Sequence, residues 1–477
     1  MIRQIFIILL IASCTPGLLS PPAQAEDWPT YRHDNRRSGV TGETLAFPLT
    51  KAWEHQSSEP PQTAWTGPAK WDSYANIRKL KSMRNFDPVF HVTSAKGNVY
   101  FGSSVDDAIH CLDAKTGQEK WVFFTNGPVR VPPAYDRGKL YFGSDDGRIY
   151  AVRADSGELV WDHQAAPHTE AMPVNGKLIS AYPCRTGALV KDTKVYFAAS
   201  LLPWKKTYVC AIDAESGAGD GTGLYRKEYE NLTAQGPMLA SATKLYLSQG
   251  RQTPVVLDRN SGTLLKSLGS SGFGGVFGLL TEDDMFIHGH GQNHRAEGEL
   301  RFFDGRQKDR LVTFPRATAI VIRGGIVYLH ADGRLQAFDR DKYIDLQGRI
   351  DQLAKRQEQL QKQRKKLGAN AGDADRKRLD EEIESIRGQI PGLQKQLPSC
   401  FLWRVASDCP LELILAADTL FAGGEDKVTA YETTAGREIW TDSVEGRAYG
   451  LAVAQGYLFV STDLGSIVCF RQMPEAP

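Results

Sequence analysis

The chain has 477 residues, with 57 Lys plus Arg against 56 Asp plus Glu and a formal net charge of +1. Hydrophobic residues make up 41% and charged residues 24%, the composition of a folded chain rather than a disordered one. The balanced charge gives no global electrostatic drive toward nucleic acid. The only long apolar run lies at the N-terminus, so no later segment is expected to span a bilayer.

Met1-Ile2-Arg3 is a short, weakly positive start. Ile5 to Ala12 is an apolar stretch of signal-peptide length, too short for a membrane span. Ala23-Gln24-Ala25 fits the small-x-small cleavage pattern and predicts a mature start at Glu26. Ile11-Ala12-Ser13-Cys14 fits a bacterial lipobox, in which an acylated Cys14 would become the first residue. Pro16, Pro21 and Pro22 break any continuing helix or strand. Both readings predict export to the periplasm or cell envelope, with membrane contact only through a lipid anchor at Cys14. Six cysteines follow Ala25: Cys111, Cys184, Cys210, Cys400, Cys409 and Cys469. Export permits disulfides and the even count permits full pairing. Cys111 and Cys469, however, occupy a repeat position where a neighbouring repeat has Ala151, so buried free thiols stand beside bridges as a reading.

From residue 98 onward one pattern recurs. Leu140-Tyr141-Phe142-Gly143-Ser144 alternates as a strand, Asp146-Gly147 is a hairpin turn, and Ile149-Tyr150-Ala151-Val152 is a second strand. Asp155-Ser156-Gly157 turns into an outer strand that ends at Trp161. Copies begin at Val99-Tyr100, Val195-Tyr196, Leu245-Tyr246, Met285-Phe286, Val327-Tyr328, Leu420-Phe421 and Leu458-Phe459. That makes about eight copies at a period of about forty residues, set by the spacing of Trp121 and Trp161. Four short strands per repeat at this period predict an all-β, eight-bladed β-propeller. The last copy lacks a fourth strand, and Thr50-Lys51-Ala52-Trp53-Glu54 is expected to supply it. Such closure removes the exposed sheet edges of a linear array.

Leu112-Asp113-Ala114-Lys115-Thr116-Gly117-Gln118-Glu119-Lys120-Trp121 resembles the tryptophan-docking repeat of the pyrroloquinoline quinone (PQQ) type. That family includes quinoprotein alcohol dehydrogenases and the propeller lipoprotein of the bacterial outer-membrane β-barrel assembly machinery. Asp27-Trp28-Pro29-Thr30-Tyr31-Arg32-His33-Asp34-Asn35-Arg36-Arg37-Ser38-Gly39 resembles the opening of exported bacterial PQQ-like propeller proteins. The resemblance implies structural roles for Asp113, Gly117, Trp121, Gly157, Trp161, Asp213, Gly217, Asp258, Gly262, Gly436 and Trp440. The Asp and Gly shape the hairpin, and the Trp docks between blades.

Between Phe338 and Trp403 the strand pattern stops. Leu346, Ile350, Leu353, Gln357, Leu360, Arg364 and Leu367 follow steps of four and three. Leu379, Ile383, Ile386, Ile390, Leu393 and Leu397 do the same. The spacing predicts an antiparallel coiled-coil hairpin over 341–397, with Asp373 capping the second helix and Pro391-Gly392 kinking it or ending it early. Gln357 and Arg364 interrupt the seam. The hairpin is expected either to project and bind a partner or to rest on the propeller rim, its charges forming a solvated face rather than a nucleic-acid site.

Aligning the repeats puts Arg130 and Arg185 at one level before the inner strands, Arg316 and Arg447 one residue earlier, and Gln235 and Asp408 at or close to it. Arg converging on a channel mouth would attract an anion, and the tricarboxylate PQQ is compatible with such a cluster. The other reading pairs these Arg with Asp or carbonyls along a wet channel. Dehydrogenases of the resembled family use a vicinal disulfide, a Ca²⁺ site and an Asp base. This chain has no Cys-Cys pair and no carboxylate and amide set that maps onto that calcium site. No catalytic residue is assigned and no cofactor is expected, PQQ with calcium remaining the alternative. His288, His290 and His294 form His-x-His-x-x-x-His, but Gly289 and Gly291 suit a loop, and no metal site is assigned.

The sequence thus divides into a leader (1–25), a first propeller part (26–340), the inserted hairpin (341–397) and the last two blades (398–477). Its expected role is non-catalytic binding or scaffolding of an envelope protein through the propeller rim or the helical arm. A PQQ-dependent dehydrogenase and a small-anion or carbohydrate sensor are the alternatives.

Overall fold

Each recurring Leu-Tyr-type motif forms the second strand of a four-stranded antiparallel group, as in Asn98–Ser103, Lys139–Gly143 and Lys194–Ala199. The computed structural model describes residues 25–65, 86–250, 252–269, 274–289, 299–304, 310–367 and 373–472. Residues 1–24, with Cys14, and also His290 and His294, lie outside them. The described strands form six separate four-stranded sheets, a two-stranded hairpin and one eight-stranded sheet. The eight-stranded sheet divides at Glu438–Ala454. The first part of this long strand pairs with Glu425–Glu432 and the second part with Tyr457–Thr462. Leu49–Gln56 pairs antiparallel with Ser466–Gln472, so a strand from near the N-terminus completes the last group. Second strands are buried on both faces and read as continuous apolar runs, whereas fourth strands such as Glu119–Phe124 are half exposed.

The sheets lock together through the repeat motif. Trp53 donates Nε1–H to the Ala114 carbonyl at 2.9 Å, Trp121 to that of Ala154 at 3.3 Å, and Trp161 to that of Ala214 at 3.1 Å. Trp403 and Trp440 do the same to Thr433 and Leu49 at 2.7 and 3.0 Å. Each ring of Trp53, Trp121, Trp161 and Trp403 lies on the turn glycine of the next group. At Gly117 a Cβ would stand 2.6 Å from the Trp53 ring, and its φ of 71° is one that side chains disfavour. In the third group Tyr225 replaces Trp, lying over Gly262 of the fourth and donating its hydroxyl to the Arg259 carbonyl. Asp113, Asp213 and Asp258 each accept from backbone N–H two and three residues on, shaping the turn.

First strands of most neighbouring groups contact one another, and Glu438–Ala454 contacts Val92–Ala95, so the last group meets the first. The segment 26–43 runs across the middle of these strands. Trp28 bridges to Ser94, and Tyr135 N–H donates to the Pro29 carbonyl. Asn35 donates to the Val190 carbonyl and accepts from Ala240 N–H, while the Arg36 carbonyl accepts from Leu280 N–H. Arg32 donates to the Ile320 carbonyl, and the Gly39 carbonyl accepts from Leu415 N–H. Glu43 accepts from Gln455 N–H. One short segment therefore bonds to all eight strand groups.

Helix α1 (Arg340–Lys366) and helix α2 (Asp373–Gln394) separate the third and fourth strands of the sixth group, which still pair with each other across Phe338 and Phe401. The helices are antiparallel: Leu346 and Ile350 pack with Leu393, and Leu360 packs with Leu379, Ile383 and Ile386. Arg364 is no defect in the seam, because it pairs with Asp380 across it at 2.9 Å. Pro391 does not end α2 early. It costs one N–H bond and the helix runs three residues farther, to Gln394. At the base, Arg340 clamps Asp283 with two bonds of 2.9 Å, and Tyr343 packs on Phe314, Phe338 and Phe401. No helix among the described residues is long and apolar enough to cross a membrane.

Candidate functional site

Of the six residues expected at the channel mouth, five lie in connections that lead into first strands, and Arg447 lies within the long strand Glu438–Ala454. The structure divides them into two sets. Arg316 pairs with Asp332, Arg447 with Glu425 and Asp463 at 3.6 and 4.0 Å, and Asp408 with Lys427. These three are exposed or half exposed, and each is answered by an opposite charge beside it. Arg130, Arg185 and Gln235 come together instead in a buried cluster with Asp87, Asp145 and Trp65.

Asp145 organises this cluster from the turn that follows a second strand. Its carboxylate accepts from Arg130 Nε at 2.6 Å and from Arg185 Nε and Nη2, each at 2.8 Å. Arg130 Nη1 donates to Asp87 Oδ2 at 2.7 Å and to the Gln62 carbonyl at 2.6 Å. The Arg185 guanidinium, 1% exposed, lies 5.5 Å from the Trp65 ring centre, and Trp65 Nε1 donates to Gln235 Oε1 at 3.4 Å. Ala64, Phe86 and Val131 pack together beside the cluster, with Trp65 and Val276 against them. The hairpin of Ala171–Val174 and Lys177–Ser180 covers it further. Ser180 N–H donates to the Asp145 carbonyl, Asn175 to the Ala64 carbonyl, and Lys177 reaches Asp107 and the Val105 carbonyl.

Two guanidiniums and two carboxylates cancel, so the cluster carries no net charge to draw an anion. Burial raises the Asp145 pKa, but Arg130 and Arg185 outweigh it and hold this carboxyl down at about 2. Asp87 goes the other way. Burial wins there and raises its pKa, because it takes one guanidinium bond where Asp145 takes three. Three buried atoms have no partner: Arg185 Nη1, Gln235 Nε2 and Asp87 Oδ1. Two donors and one acceptor are a set that an ordered water can satisfy.

His288 Nδ1 bonds to the Phe277 carbonyl at 2.9 Å. Among the described residues no group of three His, Cys, Asp or Glu is placed to hold a metal. All six described cysteines are buried free thiols, and burial pushes Cys111 and Cys210 up to about 12. Sequence reasoning missed Asp87, Asp145 and Trp65. Asp145 sits inside the repeat turn Gly143-Ser144-Asp145-Asp146-Gly147, a signal by which it could have been paired with Arg130. Trp65 and Asp87 precede the repeats, where no register places them.

A family model described as outer membrane protein assembly factor BamB matches residues 50–342. The chain belongs to this family. It also resembles the quinoprotein ethanol dehydrogenase of Pseudomonas putida, 28% identical over 157 residues, which are 31% of this chain and 20% of the enzyme. Tetrathionate hydrolase of Acidithiobacillus ferrooxidans is 29% identical over 112 residues, 23% of this chain and 19% of that protein. The chain thus spans about a fifth of the length of these curated relatives. Among solved structures, the quinohemoprotein alcohol dehydrogenase of Comamonas testosteroni superposes with a TM-score of 0.58 at 12% identity, covering 94% of this chain and 82% of that one. A europium-containing methanol dehydrogenase gives 0.56 at 11% identity, covering 95% and 98%. The fold is that of the β-propellers of this family.

Proposed function

We propose that this family member is an exported, eight-bladed propeller that binds a protein partner at the bacterial cell envelope and performs no chemistry of its own. The ring comprises 26–340 and 398–477, with 341–397 as a coiled-coil arm in the sixth blade. The observation that carries the reading is the occupation of the centre by the chain itself. Segment 26–43 bonds to all eight strand groups, and Arg130 and Arg185, the expected channel arginines that come together, are already neutralised by buried carboxylates. A PQQ tricarboxylate does not fit these residues. It would stand against Asp87 and Asp145 and would have to displace bonds that both guanidiniums already make.

A surface for a partner lies on the face that carries the hairpin. Leu178 is 66% and Trp204 is 68% exposed, and the Lys205–Glu170 ion pair ties the Trp204 loop to the chain entering the hairpin. Large apolar side chains left in water on one face are the usual mark of an interaction site. Capture from envelope extract on the full chain tests this against Leu178→Asp with Trp204→Ala, and against a chain with a shortened arm. The expected result is a partner held by the wild-type and arm-shortened chains and lost by the double variant. A partner lost only with the arm would move the interface there, and equal capture by all three would overturn a specific surface.

A further inference from the structure

The strands of the first and last groups meet at a point where the chain places Glu26. Glu26 N–H donates to Glu43 Oε2 at 3.0 Å. The Glu43 side chain also accepts from the backbone of Gln455, at 2.7 Å, and of Gly456, which form the hairpin turn of the last group. Glu43 is 2% exposed. Its bonds all come from backbone N–H, and no Lys, Arg or His among the described residues bonds to it. The Glu26 carboxylate, itself bonded to Thr41 and Gly42, adds a second negative charge nearby. On the other side of the seam, Asp27 accepts from Lys96 N–H at 3.1 Å and Gln455 Oε1 accepts from Gly97 N–H at 2.9 Å. His33 lies 3.8 Å from the Glu26 carboxylate and Lys96 3.7 Å from that of Asp27, but among the described residues neither they nor another basic side chain bonds to the buried Glu43 carboxylate. Ala25, just before Glu26, is exposed.

We propose that cleavage after Ala25 supplies a cation there: the new α-ammonium of Glu26 pairs with the buried Glu43 carboxylate and fastens the first blade to the last. This rests on the export-leader reading, with Ala23-Gln24-Ala25 as the cleavage pattern. An endoprotease hydrolyses the Ala25–Glu26 amide with one water. The acyl carbon leaves as the Ala25 carboxylate, and the nitrogen becomes the Glu26 ammonium. An α-amine is ordinarily protonated at neutral pH, and a carboxylate within hydrogen-bond reach favours its charged form further. Before cleavage the same nitrogen is a neutral amide, which keeps the hydrogen bond but leaves the buried charge uncompensated. Processing would thus complete the ring as well as release the leader.

The test has two separable parts. The mass of the N-terminal peptide of the exported protein decides the leader reading: a start at Glu26 supports it, and an acylated start at Cys14 overturns it. The ion pair is tested on chains made to begin at Glu26 or at Gln24, each with and without Glu43→Gln. Extension to Gln24 is expected to lower the denaturation midpoint by roughly 2–4 °C. Glu43→Gln is expected to lower it by a similar amount in the Glu26-starting chain and by much less in the extended one. An equal effect of Glu43→Gln in both chains would overturn the pair. If the Gln variant does not fold, acylation of the α-amine in the native Glu26-starting chain decides: slow relative to the unfolded chain supports the pair, and an equal rate overturns it.

Discussion

Asp145 holds two arginines that enter different blades, and this single carboxylate shows how the centre is wired. Arg130 leads into the second group and Arg185 into the third, so the bonds from both to Asp145 cross a blade boundary. Removing one partner from a buried charge network leaves the others unpaired, which costs about 3–5 kcal/mol. Asp145→Asn is therefore expected to destabilise the protein by about that amount, read by chemical denaturation near neutral pH. The effect should fade in acid. A carboxyl whose pKa is depressed on folding contributes stability above its unfolded value, and that contribution is lost as pH falls toward its folded value of about 2. The wild-type and Asn proteins should converge between about pH 4 and pH 2. Asp87, raised by burial, acts in the opposite sense: its contribution is present below its unfolded pKa and is lost as pH rises through its raised folded value. A difference between the two proteins that persisted unchanged in acid would contradict this assignment.

At the scale of the element, the repeat was legible because each of its devices has a residue signature. Asp113 with Gly117 marks the turn, Trp121 the docking ring, and Val99-Tyr100-Phe101 the strand buried on both faces. The helical spacing of Leu346, Ile350 and Leu360 against Leu379, Ile383 and Leu393 was legible for the same reason. Tyr225 was not, since an aromatic other than Trp fills that dock. The channel cluster was legible only in part. Arg130, Arg185 and Gln235 lie at or close to one register, but Asp408 lies close to it too, Arg316 and Arg447 fall only one residue earlier, and these three are held apart by local ion pairs. Register predicts the level of a side chain along the axis, not the partner that captures it. The arm enters and leaves at paired residues Phe338 and Phe401, so a short turn in place of 345–396 is expected to leave the sheet folded. Keeping Tyr343 should hold the loss to about 1 kcal/mol, measured by thermal denaturation with circular dichroism. Failure of that chain to fold would make the helices part of the sixth blade rather than an insertion.

For the whole molecule, the chain closes on itself at three levels. Leu49–Gln56 pairs with Ser466–Gln472, Trp53 docks on Gly117 of the first group, and 26–43 crosses the centre. The join gives the last group its fourth strand, and the segment through the centre is bonded to every strand group. Relatives named as quinoprotein dehydrogenases share this fold over limited stretches of sequence. The account separates this protein from them by the charge balance at Arg130, Arg185, Asp87 and Asp145. Calorimetric titration of the chain beginning at Glu26 with PQQ, with and without Ca²⁺, tests that separation directly, with dye-linked oxidation of alcohols and sugars followed on the same sample. The account predicts no saturable heat and no turnover. Saturable binding with turnover, both lost in Arg185→Ala while the protein stays folded, would contradict it.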